Sequence, residues 1–180
     1  HLLRYENEGI LTTYKTINKD DPKLNCRING LEKFSPTILI IDRLLKINKN
    51  SQIFNKKSYS KVILFHCSKN KNKINLLKKK GIKMVFIKTD VDNFFNLKKI
   101  IKKCYDLGIH SILVESGKKL INNMILKNTI NEFYLLKSDK VLKNKNKINV
   151  SIVNKNLNKM FKNKKFVNTY LDKDKLIHFY

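Results

Sequence analysis

The amino-acid sequence predicts an α/β fold with a mostly parallel central sheet and antiparallel strands toward its C-terminal end. Three observations carry this. Short β-rich runs alternate with helical stretches from Thr37 to about Lys127, and a glycine follows each of two helical stretches. Past Leu136 the pattern gives way to short strand-like runs with polar connections. Parallel neighbours need a long crossover, which the helical stretches supply, whereas short connections suit antiparallel pairing.

Taken in order, the run beginning at Gly9 is apolar and strand-like as far as the polar Thr12-Thr13-Tyr14-Lys15-Thr16. Thr37–Ile41, Val62–Phe65, Met84–Ile87 and Ser111–Val114 are the next strand candidates. Between them, Ile74–Lys80 and Phe94–Leu107 have apolar residues at helical spacing, with Leu97, Ile100, Ile101 and Cys104 on one face. Gly81 and Gly108 stand where a helix wants a left-handed capping residue. A helix from about Lys118 to Lys127 follows Gly117, then a strand at Glu132–Leu136. Val150–Val153, Lys165–Tyr170 and Lys175–Phe179 read as strands without long helices among them, and Lys143–Asn149 as a surface loop.

With 180 residues and 42% apolar content the chain can bury one sizeable core, so a single domain over residues 1–180 is expected. No apolar stretch approaches the roughly 20 residues that cross a bilayer, and the opening lacks a signal-peptide pattern; no membrane partner is expected. The cysteines Cys26, Cys67 and Cys104 are odd in number and widely spaced, which suits a reducing cytoplasm and gives no metal-site spacing. His66 and Cys67, adjacent on a strand, point to opposite faces and read as packing residues. The net charge of +25 raises a nucleic-acid reading. Lysines are scattered along the chain among many asparagines and isoleucines, as a genome poor in G and C would impose. No basic helix with base-reading side chains and no zinc-finger spacing is present, so no nucleic-acid partner is expected. A positive field still concentrates phosphorylated small ligands.

Two clusters about ninety residues apart carry the chemistry. In Val114-Glu115-Ser116-Gly117-Lys118-Lys119-Leu120, an apolar strand passes through a small-residue turn into a helix, where free N–H groups and the helix dipole favour a phosphate and Gly117 allows close approach. Glu115 ends the strand as a carboxylate that can accept hydrogen bonds from amino and ring N–H groups. The other cluster is Thr16 with Asp20-Asp21-Pro22, Leu24 and Arg27. Asp21 with Pro22 is turn chemistry, Asp20 can accept hydrogen bonds from hydroxyl or amide donors, and Arg27 offers a planar fork of donors. A shorter segment, Ile40-Ile41-Asp42-Arg43, ends a strand with an arginine; Asp42 is read as structural.

The pattern Thr, three residues, Asp-Asp-Pro, one residue, Leu, two residues, Arg resembles the pyrimidine reductase family, the reductase domain of bifunctional riboflavin biosynthesis proteins. Gly108-Ile109-His110-Ser111 before Val114-Glu115-Ser116-Gly117 is similar to the family's Gly-Ile-x-Ser and Val-Glu-Gly-Gly. Ser116 replaces the first glycine, and Lys118 and Lys119 stand where a proline and a small residue are usual. Ile40–Arg43 resembles Val-Leu-Asp-Arg.

The resemblance implies a dihydrofolate-reductase-like three-layer fold, a homodimer, and NADPH as cofactor. By residue-by-residue carry-over, Thr16, Asp20, Arg43, Gly117, Lys118, Lys119 and Leu120 contact the cofactor, and Arg4, Leu24, Arg27 and Glu115 the phosphorylated pyrimidine. The implied reaction converts 5-amino-6-(5-phosphoribosylamino)uracil to its ribitylamino product by hydride delivery to C1 of the sugar. No catalytic proton donor and no metal ligand is assigned. The upstream zinc deaminase domain of many members has His-x-Glu and Pro-Cys-x-x-Cys motifs, neither of which occurs here, although the first residue, His1, is compatible with such a domain upstream. The alternatives are a reductase of the same fold acting on a pteridine or folate, a degenerate copy, and a basic nucleic-acid-binding protein, which has no account of the spaced clusters.

Overall fold

The computed structural model describes residues 1–55, 60–138, 150–168 and 174–180, with backbone alone for 150–154. Residues His1–Lys118 and Lys119–Tyr180 are two compact units. The first contains α1 (Leu2–Glu6), β1 (Gly9–Thr13), α2 (Tyr14–Asp20), β2 (Thr37–Ile41), β3 (Val62–His66), α3 (Lys71–Lys79), β4 (Lys83–Phe86), α4 (Leu97–Asp106) and β5 (Ile112–Val114). α5 (Lys118–Leu126) begins at the boundary. The second unit continues with β6 (Phe133–Lys137), α6 (Val150–Met160), β7 (Lys164–Val167) and β8 (Lys175–Phe179). No helix among the described residues is long and apolar enough to cross a membrane.

The first unit is built on a five-stranded sheet of order β4-β3-β2-β1-β5, and every pairing is parallel. The chain lays down β1 to β4 in one direction, then returns to place β5 on the other side of β1. Because crossovers of this kind are right-handed, the reversal transfers the connecting helix to the opposite face of the sheet. Both faces are consequently covered. Ile10, Ile38, Ile40 and Leu64 pack with Ile17, Leu24, Leu45, Ile47, Ile53 and Leu77 in one core, while the alternate residues Leu11, Leu39, Ile63, Phe65 and Val85 are buried on the other face. The stripe Leu97, Ile100 and Cys104 of α4 is buried too.

The helices start and stop where local chemistry dictates. Asn70 and Asn96 cap α3 and α4 by accepting from Lys73 N at 3.0 Å and Lys98 N at 3.0 Å. The Asn96 cap sets the start of α4 at Leu97, three residues later than the spacing suggested, which leaves Phe94 outside the helix. Gly81 and Gly108 follow their helices with φ of +84° and +77°, the left-handed conformation expected of them.

In the second unit, β6, β8 and β7 form an antiparallel sheet in that order. Its core joins Ile125 of α5, Leu157 of α6, Phe161 and Phe179. Here one expectation is corrected: Val150–Val153 is the first turn of α6, not a strand. The β-branched run suggested a strand, but Val150, Val153, Leu157 and Met160 recur at helical spacing, and a completely buried Leu157 anchors that stripe. The strand expected at Lys165–Tyr170 is found as β7, which ends at Val167; Thr169 and Tyr170 lie outside the described residues. The loop expected at Lys143–Asn149 lies outside them too.

Two positions test this packing. A Cβ on Gly9 would lie 2.8 Å from Leu39 Cδ1 and 2.9 Å from Ile109 Cγ2, inside a sheet face where Leu39 is fully buried. Gly9→Ala is therefore expected to lose about 1–3 kcal/mol of unfolding free energy in a denaturant titration. His66 is 4% exposed, and burial lowers its pKa from the ordinary 6.5. The unfolded chain thus takes up this proton at a higher pH than the folded one, so His66 withdraws stability as pH falls below 6.5. His66→Asn is expected to flatten the loss of melting temperature between about pH 7.5 and about pH 5.5.

Candidate active site

In an open parallel sheet, a cleft forms at the carboxyl ends of two adjacent strands whose connections leave in opposite directions. β1 and β5 are that pair: β1 leads toward β2, and β5 was reached from the far side. Their register, Leu11 beside Val114, is extended by Glu115 N donating to Leu11 O at 3.0 Å. Glu115, Ser116 and Gly117 thus emerge next to Thr12 and Thr13, ahead of α2.

Arg4 fastens this place together. Its Nε and Nη2 donate to the two carboxylate oxygens of Glu115 at 2.7 and 2.8 Å, and Nη1 donates to Asn25 O at 3.1 Å. One guanidinium joins α1, the end of β5 and the segment after α2, spanning 111 residues of sequence. The Arg4 side chain is 17% exposed and that of Glu115 35%. The two charge-assisted bonds to Glu115 outweigh burial and raise the Arg4 pKa, so the fork is always charged. Every nitrogen of Arg4 has a protein partner, which makes it the holder of the Glu115 carboxylate.

The Asp20–Arg27 segment is shaped by two residues in left-handed backbone, Asp21 (φ +39°) and Leu24 (φ +54°). Asp21 N closes α2 on Ile17 O at 2.9 Å, and the Asp21 carboxylate accepts from Gln52 N at 3.0 Å, the turn-forming role expected of it. Its carbonyl accepts from Gln52 Nε2 as well. Asp20, one residue earlier, is exposed and has no partner among the described residues. Thr16 is half-buried in the first turn of α2, its hydroxyl 3.3 Å from that of Thr13. Leu24 is 3% exposed and packs in the main core, so its side chain fills the core beneath the segment. Arg27 is exposed, with Nε donating to His1 Nε2 at 3.1 Å.

Three buried side-chain oxygens in these segments have no hydrogen-bond partner among the described residues: Thr12 Oγ1, Asn25 Oδ1 and Ser116 Oγ. Sequence reasoning passed over Thr12 and Asn25, and only their shared lack of a partner singles them out. Gly117 is exposed, its φ is not positive, and a Cβ there would meet nothing within 4 Å. Neither packing nor backbone requires glycine at that point. Lys118 opens α5, with Lys119 and Leu120 next in its first turn; both lysines are exposed.

At the end of β2, Asp42 is fully buried, and its carboxylate accepts from Lys46 N at 2.8 Å and Ile47 N at 2.7 Å, which bears out its structural reading. Desolvation raises its pKa against the pull of those N–H groups. Arg43 is half-buried and has no ion pair among the described residues. A cavity of about 630 Å³ lies at the amino ends of β2, β3 and β4, between Glu8, Thr37, Lys61, Lys83 and Ile109. That is the opposite end of the sheet from all these residues, so the volume of a hollow does not mark the chemistry here.

The contrast between Arg4 and Gly117 gives a stability test. Arg4→Lys replaces a three-way fork by a point charge. It is expected to lose about 1–2 kcal/mol, seen as a melting temperature lower by about 3–6 °C. Gly117→Ala is expected to stay within about 0.5 kcal/mol of the parent protein in the same thermal melt.

Sequence and fold are similar to those of known proteins. The riboflavin biosynthesis protein RibD of Aquifex aeolicus is 30% identical over 125 residues, covering 69% of this chain and 33% of that protein. The 2,5-diamino-6-ribosylamino-4(3H)-pyrimidinone 5′-phosphate reductase of Debaryomyces hansenii is 28% identical over 163 residues, 84% of this chain and 66% of the relative. The chain thus spans between a third and two thirds of these relatives. Among solved structures, the Saccharomyces riboflavin biosynthesis reductase Rib7 superposes with a TM-score of 0.74 at 20% identity, covering 99% of this chain and 77% of the other. The Thermotoga maritima deaminase/5-amino-6-(5-phosphoribosylamino)uracil reductase superposes with a TM-score of 0.70 at 21% identity, covering 99% and 46%. These neighbours share the dihydrofolate-reductase-like fold. The RibD C-terminal domain family matches residues 1–149, and the chain belongs to that family.

Proposed function

We propose that this chain is the reductase of a riboflavin-type pathway, reducing 5-amino-6-(5-phosphoribosylamino)uracil to its ribitylamino product with NADPH. The observation that carries the reading is the Arg4 fork, which draws Glu115 and Asn25 to the carboxyl ends of β1 and β5. A clamped carboxylate at the mouth of a cleft is pre-oriented to accept hydrogen bonds from a planar heterocycle.

The rest of the site suits the two ligands. Three orphaned oxygens and a glycine that folding does not require are what a ligand in this cleft would explain. Of the 39 basic residues only three are arginines, Arg4, Arg27 and Arg43. Each offers a planar fork of donors where lysine would offer a point charge. Arg27 stands exposed three residues past the core-anchored Leu24, free to meet the sugar phosphate, while Arg43 takes the phosphate on the cofactor's ribose. Thr16, Asp20 and the Glu115–Gly117 turn hold the rest of the dinucleotide, with Lys118, Lys119 and Leu120 following along α5.

When bound, the nicotinamide supplies the hydride that goes to C1 of the sugar. The contribution of this chain is to fix the two ligands against each other, which by itself accounts for a large part of the rate of such a transfer. The family's homodimer, and a deaminase domain elsewhere in the intact protein, belong to the same proposal.

The test is NADPH oxidation with the deaminated pyrimidine phosphate as substrate. Asp20→Asn and Glu115→Gln are each expected to lower kcat/KM about 10–100-fold, the worth of one or two charge-assisted hydrogen bonds. Gly117→Ala, neutral for folding, is expected to weaken NADPH binding measured by fluorescence. Turnover of a pteridine in place of the pyrimidine would redirect the reading to another reductase of this fold.

A further inference from the structure

Beside Arg43 stands an arrangement that the core does not use. Residues Asp90–Phe94 form a closed turn: Asn93 N donates to Asp90 O at 2.9 Å, Asp90 N donates to Phe94 O at 2.9 Å, and Asn93 has φ +58°. The turn is tied to the start of α4, because the Asp90 carboxylate accepts from Asn96 Nδ2 at 3.2 Å and from Lys99 Nζ at 3.0 Å. So anchored, it presents Phe94 to solvent at 73% exposure and its neighbour Val91 at 97%.

The turn also holds Arg43. Asn93 O accepts from Arg43 Nη1, and the guanidinium carbon lies 6.0 Å from the centre of the Phe94 ring. From the other side, Cys67 N donates to Arg43 O at 3.0 Å and pins the main chain at the end of β3. Two neighbouring acids are engaged elsewhere, Asp42 on the backbone of Lys46 and Ile47 and Asp90 on Asn96 and Lys99, while Asp92 of the same turn is exposed. Among the described residues Arg43 makes no ion pair, and its Nε and Nη2 have no hydrogen-bond partner. A held fork with two open donors beside an exposed phenyl ring matches a phosphate monoester attached to a nucleoside.

We propose that Phe94 stacks on the adenine ring of the cofactor while the turn that carries it aims the Arg43 fork at the ribose 2′-phosphate. Phe94 is then a specificity-determining residue for the adenosine end of the site, and Asn93 a positioning residue acting through Arg43. This rests on the dinucleotide reading above and adds to it a residue that no sequence pattern pointed out.

The experiment measures binding to the full-length protein by titration calorimetry, with adenosine 2′,5′-bisphosphate, NADPH and NADH as probes. Phe94→Ala is expected to weaken adenosine 2′,5′-bisphosphate and NADH about tenfold each, since a base–aromatic stack is lost whichever ribose is present. Phe94→Tyr is expected to restore both. Arg43→Gln should weaken NADPH and leave NADH unchanged, erasing the preference between them. An unchanged melting temperature for Phe94→Ala, expected from its exposure, separates lost stacking from lost folding. If the parent protein binds NADPH and Phe94→Ala binds adenosine 2′,5′-bisphosphate equally well, the stacking role is overturned while the dinucleotide reading stands. A parent protein that binds neither dinucleotide overturns both.

Discussion

The reversal of sheet growth at β1 sets the Glu115–Gly117 turn beside Thr12 and Thr13. Had β5 been added beyond β4, the chain would have made a five-stranded sheet with no internal break. The Glu115–Gly117 turn would then have emerged with three strands between it and Thr13. Placing β5 against β1 instead parts the connections of adjacent strands and leaves the backbone ends of both facing one opening. Once the strands are so ordered, Arg4 can reach Glu115 from a helix that precedes β1 and still touch Asn25 beyond α2. The ion pair is local in space because the sheet has made two distant segments neighbours.

Electrostatics divides the labour among the polar groups. Lysines carry most of the surplus charge on exposed helix faces, where their pairs with acids, such as Lys102 with Asp106, are exposed and weakly stabilising. The groups at the strand ends behave differently. Asp42 is buried with no ion pair among the described residues and is held by backbone N–H groups, Arg4 is shared between a carboxylate and a carbonyl, and Arg43 makes no ion pair among the described residues. Burial keeps the first as a structural latch, full pairing makes the second a clamp, and the open donors of the third leave it available to an anion.

Much of this was legible in the sequence, and the reasons for the exceptions are physical. The parallel strands could be read because each is a short, largely apolar run set off by helical stretches and turns; β2 and β3 in the middle of the sheet are buried on both faces, while the edge strands β4 and β5 are more exposed. The two clusters could be read because a turn needs only Asp with Pro, whereas Thr16, Asp20, Leu24 and Arg27 at fixed spacing ask for more than a turn. α6 was misread because Val150–Val153 is β-branched over one helical turn, and only Leu157 and Met160 beyond it reveal the period. The resemblance puts Leu24 at the substrate, and its left-handed backbone sets its side chain in the core beneath that segment, a direction no linear pattern carries. The Arg4–Glu115 pair was invisible as a pair, although each member was chosen, because nothing in a linear pattern says that two ligands of one site will hold each other.

The composition that hides most signals also sharpens a few. A chain rich in lysine, asparagine and isoleucine has only five glycines and three arginines. Gly30, Gly81 and Gly108 have positive φ, and Gly9 has no room for a Cβ, so folding accounts for four of the five. Gly117 alone has neither reason, and it lies in the turn after β5. The arginines sort in the same way: lysine would serve a solvated surface, yet each arginine stands at or beside a carboxyl end of the sheet or in the segment tied to it. Folding gives no reason for glycine at position 117, and Arg43 keeps guanidinium donors that no described residue takes up. A turn position without a side chain and an arginine with open donors are what the proposed dinucleotide reading draws on, the first for close approach to the backbone and the second for an anion.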